Sequence, residues 1–226
     1  MSTIVSYEKD ENVAIITLDD GKANAVSHQF LDELNAALDQ AQSENAVVLL
    51  VGREGKFSAG FDLSVMKEGG PAAVGQLVGA GAKLSARLLS FPTPVVIAAT
   101  GHTLAMGALM LLSVDYRIGV EGPFKIGLNE VAIGMTMPYF GVELARGRLT
   151  PVAFGRSVNN AEIFSPESAV EAGFLDAVVS PDALMGAALT EAKRLSELNL
   201  NAHHGTKLRV RESLLKAVEE GTAKEF

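Results

Sequence analysis

Two glycine-containing segments place small residues directly after apolar runs, where backbone groups can take part in chemistry. Residues 55–63 follow the apolar run 46–51, and residues 101–108 follow Val95–Ala99. A chain that turns from a buried strand into a helix presents unpaired N–H groups, and glycine lets another molecule approach them closely. Two such groups aimed at one point form an oxyanion hole, which stabilises a developing enolate or tetrahedral oxygen by roughly 3–4 kcal/mol per donor. The alternative is that both segments are simply tight strand-to-helix turns.

The elements that must hold these segments are predicted from the apolar pattern. Continuous or β-branched apolar runs predict strands at Val13–Leu18, residues 46–51 and Val95–Ala99. Ser27 is suited to cap a helix whose apolar residues recur at helical spacing. Those apolar residues are Phe30, Leu31, Leu34, Ala37 and Leu38. Further helices are predicted at residues 74–89 and 104–112, and short strands at residues 117–120 and 124–128.

The second half of the chain is predicted to be mostly helical from Pro138 onwards. Strands that alternate with helices in the first half favour right-handed parallel crossovers and an α/β core. We therefore interpret residues 1–226 as a single domain, with a core over residues 1–180 and a C-terminal helical region over residues 181–226. The sequence Gly69-Gly70-Pro71 is predicted to form a loop over the site.

Composition excludes several classes of protein. The 226 residues are 48% hydrophobic and 20% charged, which is typical of a globular chain, and the net charge of −8 argues against binding to nucleic acid. The chain has no cysteine, so it has no disulfide, thiolate metal site or thiol nucleophile, and its four histidines lack the spacing of zinc ligands. No apolar run approaches the ~20 residues of a membrane helix, and no signal peptide is evident. A cytoplasmic protein without a metal is expected.

Several segments together resemble the crotonase (enoyl-CoA hydratase/isomerase) superfamily. Residues 57–63 (FSAGFDL) and 94–108 (PVVIAATGHTLAMGA) are similar to its two signatures. Residues 115–118 (DYRI), 127–135 (GLNEVAIGM) and 165–176 (SPESAVEAGFLD) follow in the family's order and at its distances. The resemblance covers residues 13–179. It implies the crotonase (ClpP-like) fold of repeated ββα units with a C-terminal helical region.

The same resemblance implies an acyl-CoA thioester as substrate, no further cofactor, and a homotrimer or a dimer of trimers. By motif position, the backbone N–H groups of Phe61 and Met106 are the oxyanion donors. Met106 stands where the family commonly has glycine, so its side chain needs room of its own. Six further residues fall in segments that contact CoA or substrate in the family: Lys22, Ala23, Ala25, Ala59, Asp62 and Leu63. The plainer alternatives are a solvated loop lysine for Lys22 and a helix-capping carboxylate for Asp62.

The carboxylates suggest which reaction is catalysed. Family hydratases have two glutamates, whereas this chain has Leu109 at the first position and Glu130 at the second. Hydration benefits from two positioned groups, but moving a double bond from position 3 to position 2 needs one base. Residues 127–130 also resemble those of Δ3,Δ2-enoyl-CoA isomerases, which rely on a single glutamate. Isomerisation by Glu130 is therefore expected; the alternatives are an enoyl-CoA hydratase of fatty-acid β-oxidation and a catalytically quiet acyl-CoA-binding protein, and Glu130 itself could be an exposed turn residue.

Other residues are assigned simpler roles. His102 is expected to be structural, Asp115 and Arg117 to form a polar pair, and Tyr139 is a candidate to close the acyl pocket. Residues 208–218 carry apolar side chains on a face that a small core would leave uncovered, which favours assembly. These side chains are Leu208, Leu214, Leu215 and Val218.

Overall fold

The buried apolar runs form strands of two sheets, and helices cover them. The computed structural model describes residues 3–225, apart from the side chains of residues 66 and 67. The strands are β1 (Val5–Asp10), β2 (Val13–Leu18), β3 (Val47–Val51), β4 (Gly55–Ser58), β5 (Val95–Ala99), β6 (Gly101–Leu104), β7 (Tyr116–Val120), β8 (Ile126–Gly127), β9 (Ile163–Phe164) and β10 (Ala177–Val179). The helices are α1 (His28–Ser43), α2 (Leu63–Glu68), α3 (Gly70–Ser90), α4 (Met106–Leu112), α5 (Tyr139–Arg148), α6 (Pro151–Val158), α7 (Pro166–Ala172), α8 (Leu184–Ser196) and α9 (Leu200–Glu225). Single 3₁₀ turns lie at Val131–Ile133 and Pro181–Ala183.

The chain crosses repeatedly from a large sheet to a small one. The large sheet has the order β1-β2-β3-β5-β7-β10 and is parallel except between β1 and β2. The small sheet has the order β4-β6-β8-β9 and is parallel except between β8 and β9. Each pair β3-β4, β5-β6 and β7-β8 places one strand in each sheet before the next helical segment begins. This arrangement confirms the expected α/β fold of repeated ββα units with a C-terminal helical region.

Helices cover both faces of the large sheet because both faces are apolar. Every residue of β3 and β5 is buried, as their continuous apolar runs predict. Helices α1, α3 and α4 pack in one core with one face of these strands, and α8 packs against the other face. Ser27 caps α1 by accepting the N–H of Phe30 at 3.2 Å, which confirms that prediction. Within the described chain no helix is long and apolar enough to span a membrane.

The predicted helix over residues 104–112 begins later than expected. Gly101–Leu104 form β6, and the helix begins at Met106. A Cβ atom at Gly101 would lie 2.1 Å from the carbonyl carbon and oxygen of Gly55, so only glycine permits this close pairing of β6 with β4. That pairing involves a distant strand and leaves no trace in the local periodicity. The strand predicted over residues 124–128 is likewise shorter, since only Ile126–Gly127 pair.

The loop predicted at Gly69-Gly70-Pro71 is instead a junction of two helices. Gly69 ends α2 and is also the N-cap of α3, which begins at Gly70. Pro71 lies in the first turn of α3, where a missing backbone N–H costs nothing because the first turn has no intrahelical acceptor. Glycine and proline usually indicate a loop, but in this segment they lie at the start of a helix.

The predicted Asp115–Arg117 pair is also wrong. Arg117 forms a bidentate ion pair with Asp176, at 2.8 Å from Nε and 2.7 Å from Nη2. Asp115 instead binds Lys207 at 2.7 Å and Arg211 at 2.8 Å, both on α9. Asp115 and Arg117 are two residues apart on an extended chain, which separates them by about 6.6 Å. Asp176, Lys207 and Arg211 instead lie within hydrogen-bond distance of their partners. The pairs therefore connect the large sheet to later elements.

Candidate active site

The pairing of β4 with β6 brings the two glycine-containing segments together. Gly55 pairs with Gly101, and beyond these strands Gly60 adopts a φ of +92°. A Cβ atom at Gly60 would lie 2.6 Å from the Cβ of Ala105 and 3.3 Å from the backbone N of Met106. The two backbones are therefore in direct contact, and only glycine allows this contact. The structure thus brings together the two segments that carry the predicted oxyanion donors.

The N–H groups of Phe61 and Met106 are available at this contact. On either side of Phe61 the backbone is bonded to Val26: the N–H of Val26 donates to Gly60 O at 2.8 Å, and the N–H of Asp62 donates to Val26 O at 3.0 Å. Met106 is the first residue of α4, whose first helical bond runs from Leu109 N–H to Ala105 O. In residues 3–225 neither the Phe61 nor the Met106 N–H group has a hydrogen-bond acceptor. Such free donors could bind a ligand oxygen.

Ala105 holds the Met106 amide in place through an unfavourable backbone conformation. Its φ of 49° and ψ of −122° are values that residues other than glycine rarely adopt. The N–H of Ala105 donates to Gly127 O at 3.0 Å, which ties this turn to β8. Strain of this kind costs on the order of 1–3 kcal/mol and is found preferentially at functional sites. No property of an alanine in the sequence predicts it.

The side chain of Met106 lies in the core and not in the space in front of its amide. Met106 is fully buried. A Cβ atom at Gly81 of α3 would lie 3.2 Å from the Met106 sulfur and 2.6 Å from the tip of the Phe61 ring. The missing side chain at Gly81 therefore makes room for both residues. The change from the family's common glycine to methionine is accommodated behind the loop.

Glu130 faces a cavity of about 200 Å³ whose wall includes Phe61 and Ala105 but not Met106, the residue after Ala105. It is only 5% exposed, and its Oε2 atom, like the Oδ1 atom of Asn129, is buried without a partner among the described residues. Burial raises the pKa of Glu130 to about 7, and its own backbone N–H only partly opposes this rise. Glu130 is thus a buried carboxyl group, which excludes the exposed-turn alternative. A group with a pKa near 7 can both accept and return a proton at neutral pH.

The cavity wall is mainly apolar and includes four of the predicted site residues. These four are Ala59, Phe61, Leu63 and Glu130. The remaining wall residues come from α3, the turns around Ala105 and Glu130, the start of α5 and the end of α9; those of α3, α5 and α9 have no signature in the sequence. These remaining residues are Val74, Val78, Ala105, Asn129, Ile133, Met135, Thr136, Pro138 and Glu225. Such a wall suits a hydrocarbon chain attached to a polar group.

The end of α9 reaches the cavity at the start of α5. Glu225 Oε2 accepts the N–H of Tyr139 at 2.9 Å, and Gly221 packs against Tyr139 so closely that a Cβ atom there would lie 3.1 Å from the Tyr139 Cβ. Tyr139 itself is 53% exposed and is not part of the cavity wall, where Pro138 lies instead. The expectation that Tyr139 closes the pocket is therefore wrong. Its backbone contact with Glu225 joins two elements of the wall.

The loop with Lys22, Ala23 and Ala25 lies beside the cavity without lining it. Ala59 N–H donates to Ala23 O at 3.0 Å, which connects this loop to the cavity wall. Asp20 accepts the backbone N–H groups of Lys22 and Ala25 at 2.7 and 3.1 Å, so the loop has a defined shape. The Lys22 side chain is exposed. It is thus free to contact the distal part of a ligand whose reactive end occupies the cavity.

Three other predicted residues also lie outside the cavity wall. Asp62 caps α2 by accepting the N–H of Ser64 at 2.9 Å, as its plainer alternative states. Leu109 is fully buried, with a methyl group 3.3 Å from where a Cβ atom at Gly141 would lie. The Nδ1 atom of His102 accepts the N–H of Lys125 at 3.1 Å, so His102 has a structural contact.

Comparison with known proteins adds to this geometry. The family model described as Enoyl-CoA hydratase/isomerase matches residues 8–225. Human Enoyl-CoA delta isomerase 1, mitochondrial, is 28% identical over 214 residues, which are 93% of this chain and 71% of that protein. Short-chain-enoyl-CoA hydratase of Clostridium acetobutylicum is 30% identical over 196 residues, 84% of this chain and 74% of that protein. A solved structure of an enoyl-CoA hydratase/isomerase family protein from Pseudomonas syringae is 52% identical, with a TM-score of 0.96 and coverage of 98% of this chain and 96% of that one.

Proposed function

Because the chain belongs to the enoyl-CoA hydratase/isomerase family, we propose that it isomerises 3-enoyl-CoA thioesters to trans-2-enoyl-CoA. The observation that carries this proposal is the single buried carboxylate of the cavity wall, Glu130, which shares an apolar cavity with Phe61 and with Ala105, the residue before Met106. In this proposal CoA is part of the substrate, and no metal or other cofactor is required.

The proposed reaction needs one base and one oxyanion site. The thioester oxygen accepts hydrogen bonds from the N–H groups of Phe61 and Met106, and the Glu130 carboxylate removes a proton from C2. The electron pair of that C–H bond is delocalised over a dienolate whose negative charge lies mainly on the bound oxygen. The Glu130 carboxylic acid then returns the proton at C4, which leaves the double bond between C2 and C3. Fixing the thioester beside the base also lowers the entropic cost of proton transfer.

The carboxylates of the cavity wall favour isomerisation over hydration. Family hydratases have a second glutamate at the position of Leu109. Here Leu109 is buried in the core. The other carboxylate of the cavity wall, Glu225, is exposed and accepts the N–H of Tyr139. Hydration benefits from one group that activates water and one that protonates carbon. Because Glu225 is a second carboxylate in the cavity wall, an enoyl-CoA hydratase is the second candidate.

The deciding experiment compares two substrates and two variants. Wild-type protein is expected to isomerise 3-hexenoyl-CoA faster than it hydrates crotonyl-CoA. Glu130→Gln keeps the shape of the side chain but loses the base, so isomerase turnover should fall by about 10²–10⁴-fold while CoA-ester binding persists. Glu225→Gln is the matched control and should leave turnover within about threefold of wild type.

Three outcomes would contradict the proposal. Faster hydration of crotonyl-CoA than isomerisation of 3-enoyl-CoA at every chain length tried would favour the hydratase. A selective loss of hydration in Glu225→Gln would identify the second carboxylate. Binding of both esters without turnover would identify a catalytically quiet acyl-CoA-binding protein.

The remaining contacts and the setting of the reaction are also proposals. We place the CoA adenine and phosphates against Lys22, Ala23 and Ala25, whose loop is hydrogen-bonded to Ala59 of the cavity wall. We further propose a cytoplasmic location and assembly as a homotrimer or a dimer of trimers. The family resemblance supports this assembly, and the exposed apolar side chains of α9 are compatible with it.

A further inference from the structure

A second cavity, separate from the candidate active site, lies between α9 and the ends of β7 and α5. Its volume is about 470 Å³, and it shares no residue with the cavity at Glu130. We call it the basic cleft because three of its side chains are cationic. It is lined by Asp115, Arg148, Leu198, Asn199, Ala202, His203, Thr206, Lys207, Val210 and Arg211. A cationic cavity is unexpected in a chain with a net charge of −8.

The one carboxylate of the basic cleft is already fully engaged. Asp115 Oδ2 binds Lys207 Nζ at 2.7 Å and Val95 N–H at 2.8 Å, and Asp115 Oδ1 binds Arg211 Nη2 at 2.8 Å. Lys207 and Arg211 are nearly buried, and burial lowers the pKa of both. Together with Asp115 they carry one net positive charge. Backbone carbonyls partly satisfy it, since Lys207 Nζ also donates to Phe91 O and Thr93 O, and Arg211 donates to Leu89 O and Val114 O.

Arg148 adds a second positive charge, and among the described residues no carboxylate forms an ion pair with it. Within the same part of the chain its one hydrogen bond runs from Nη2 to Val114 O at 2.8 Å. Burial lowers its pKa to about 10, helped by the charges of Arg117 and Arg211 and opposed by those of Asp176 and Asp115, so it remains charged at neutral pH. A guanidinium group has five N–H donors, and most of those of Arg148 are unused. A mostly buried charge without a partner is costly unless a ligand or water compensates it.

Two neighbouring polar atoms are also unsatisfied. The Nη1 atom of Arg117 and the Nδ1 atom of His203 are buried and have no hydrogen-bond partner among the described residues. Arg117 is neutralised by Asp176, so the pair adds no net charge, and Arg117 is not one of the residues that line the basic cleft. The basic cleft therefore combines positive charge, unused donors on Arg148 and an open volume.

We propose that the basic cleft binds a phosphate group, either as inorganic phosphate or as a small phosphate monoester. A tetrahedral dianion matches the two excess positive charges and accepts several hydrogen bonds, and guanidinium groups bind phosphate in a bidentate manner. The volume of about 470 Å³ leaves room for a small organic group on the phosphate. Since Glu130, Phe61 and Met106 take no part, this site does not depend on the proposed isomerase reaction.

The first experiment is a calorimetric titration with inorganic phosphate at constant ionic strength, set with sodium chloride. Saturable binding is expected for the wild-type protein. Arg148→Gln should weaken it by at least about tenfold, because one charge-assisted contact is lost. The matched control is Arg209→Gln, which removes a positive charge from an exposed position of α9, the helix that carries Lys207 and Arg211. Equal effects of the two variants, or no saturable binding in the wild type, would overturn the proposal. Parallel titrations with glycerol 3-phosphate show which source of the phosphate group binds more tightly.

A second variant tests the site without removing a buried residue. Thr206 is exposed and lines the basic cleft, so Thr206→Glu would place a carboxylate where we expect the ligand. This variant should lose phosphate binding and melt about 2–4 °C higher than Thr206→Gln, which has the same size but no charge. If Thr206→Glu binds phosphate as tightly as Thr206→Gln, or melts no higher, the excess positive charge is not the basis of a site.

Discussion

Glu130 lies in the wall of an apolar cavity, and this position couples its protonation to folding. The pKa of this carboxyl group is raised from 4.5 to about 7 by burial. Near pH 7 about half of the folded molecules carry the proton, so the group can act first as base and then as acid. The same burial means that ionised Glu130 is less stable in the folded protein than in the unfolded chain.

The stability of the protein should therefore fall as pH rises through this range. Between pH 4.5 and 7 the folded state holds a proton that the unfolded state has released, so the stabilising effect of protonated Glu130 is complete below pH 4.5 and lost above pH 7. Relative to wild type, Glu130→Gln should gain about 2–3 kcal/mol in free energy of unfolding between pH 5 and pH 8. Urea unfolding of both proteins at the two pH values measures this difference. Identical pH profiles would show that the pKa of Glu130 is not raised.

The Met106 amide can be tested by a substitution that the helix tolerates. Position 106 is the first of α4, where proline suits the helix backbone. Loss of the buried methionine side chain should nevertheless lower the free energy of unfolding by about 2–5 kcal/mol, so folding of Met106→Pro is checked first by circular dichroism. It removes one proposed oxyanion donor, and turnover should fall by about 10²-fold or more. Met106→Leu keeps the N–H group and should lose little activity. Full activity in a folded Met106→Pro protein would exclude this amide from the reaction.

At the scale of elements, the turn between β6 and α4 stores strain at the site. Ala105 has a φ of 49°, which glycine adopts without penalty. Ala105→Gly should therefore raise the free energy of unfolding by up to about 1 kcal/mol, or leave it unchanged if the greater freedom of the unfolded glycine offsets the relief. The matched control Ala108→Gly, inside α4, should lower it by about 1 kcal/mol. Denaturant unfolding of both variants checks the contrast, and equal losses would show that Ala105 is unstrained.

Elements were predictable where the determining contacts are local. Ser27 and the apolar residues after it specify α1 within one stretch of sequence. The glycines of β4 and β6 matter because Gly55 meets Gly101, a contact between distant segments that periodicity does not record. For the same reason Asp115 was assigned to Arg117, its neighbour in sequence, and not to α9. The cavity wall was predicted only where the family signatures cover it, which is why Glu225 and Val74 were missed.

At the scale of the whole molecule, the apolar surface of α9 bears on assembly. Of the four apolar residues expected to form a contact face on α9, Val218 is fully buried and Leu214 and Leu215 are half-buried against the chain's own core, so only Leu208 is exposed. Val210 on the same helix is 78% exposed. The exposed apolar surface of α9 is therefore smaller than the sequence pattern suggested.

Sedimentation velocity at micromolar concentration is expected to show a trimer or hexamer. Leu208→Glu should shift the population towards monomer, because a charge would be buried at the contact. The matched control Val152→Glu places the same charge on α6, where the native side chain is 71% exposed. A wild-type protein that sediments only as monomer would exclude the proposed assembly. If Val152→Glu alone dissociates the oligomer, the interface involves α6.

The small sheet has a consequence for how the chain acquires its site during folding. Strands β4 and β6 are separated by the whole of α2, α3 and β5, and their pairing places Gly60 against Met106. Helices such as α1 depend on local contacts and can form early, whereas parallel pairing of distant strands must first close a long loop and is slow. The two amides therefore meet late in folding. A newly synthesised chain is expected to have most of its helices before it can stabilise an enolate.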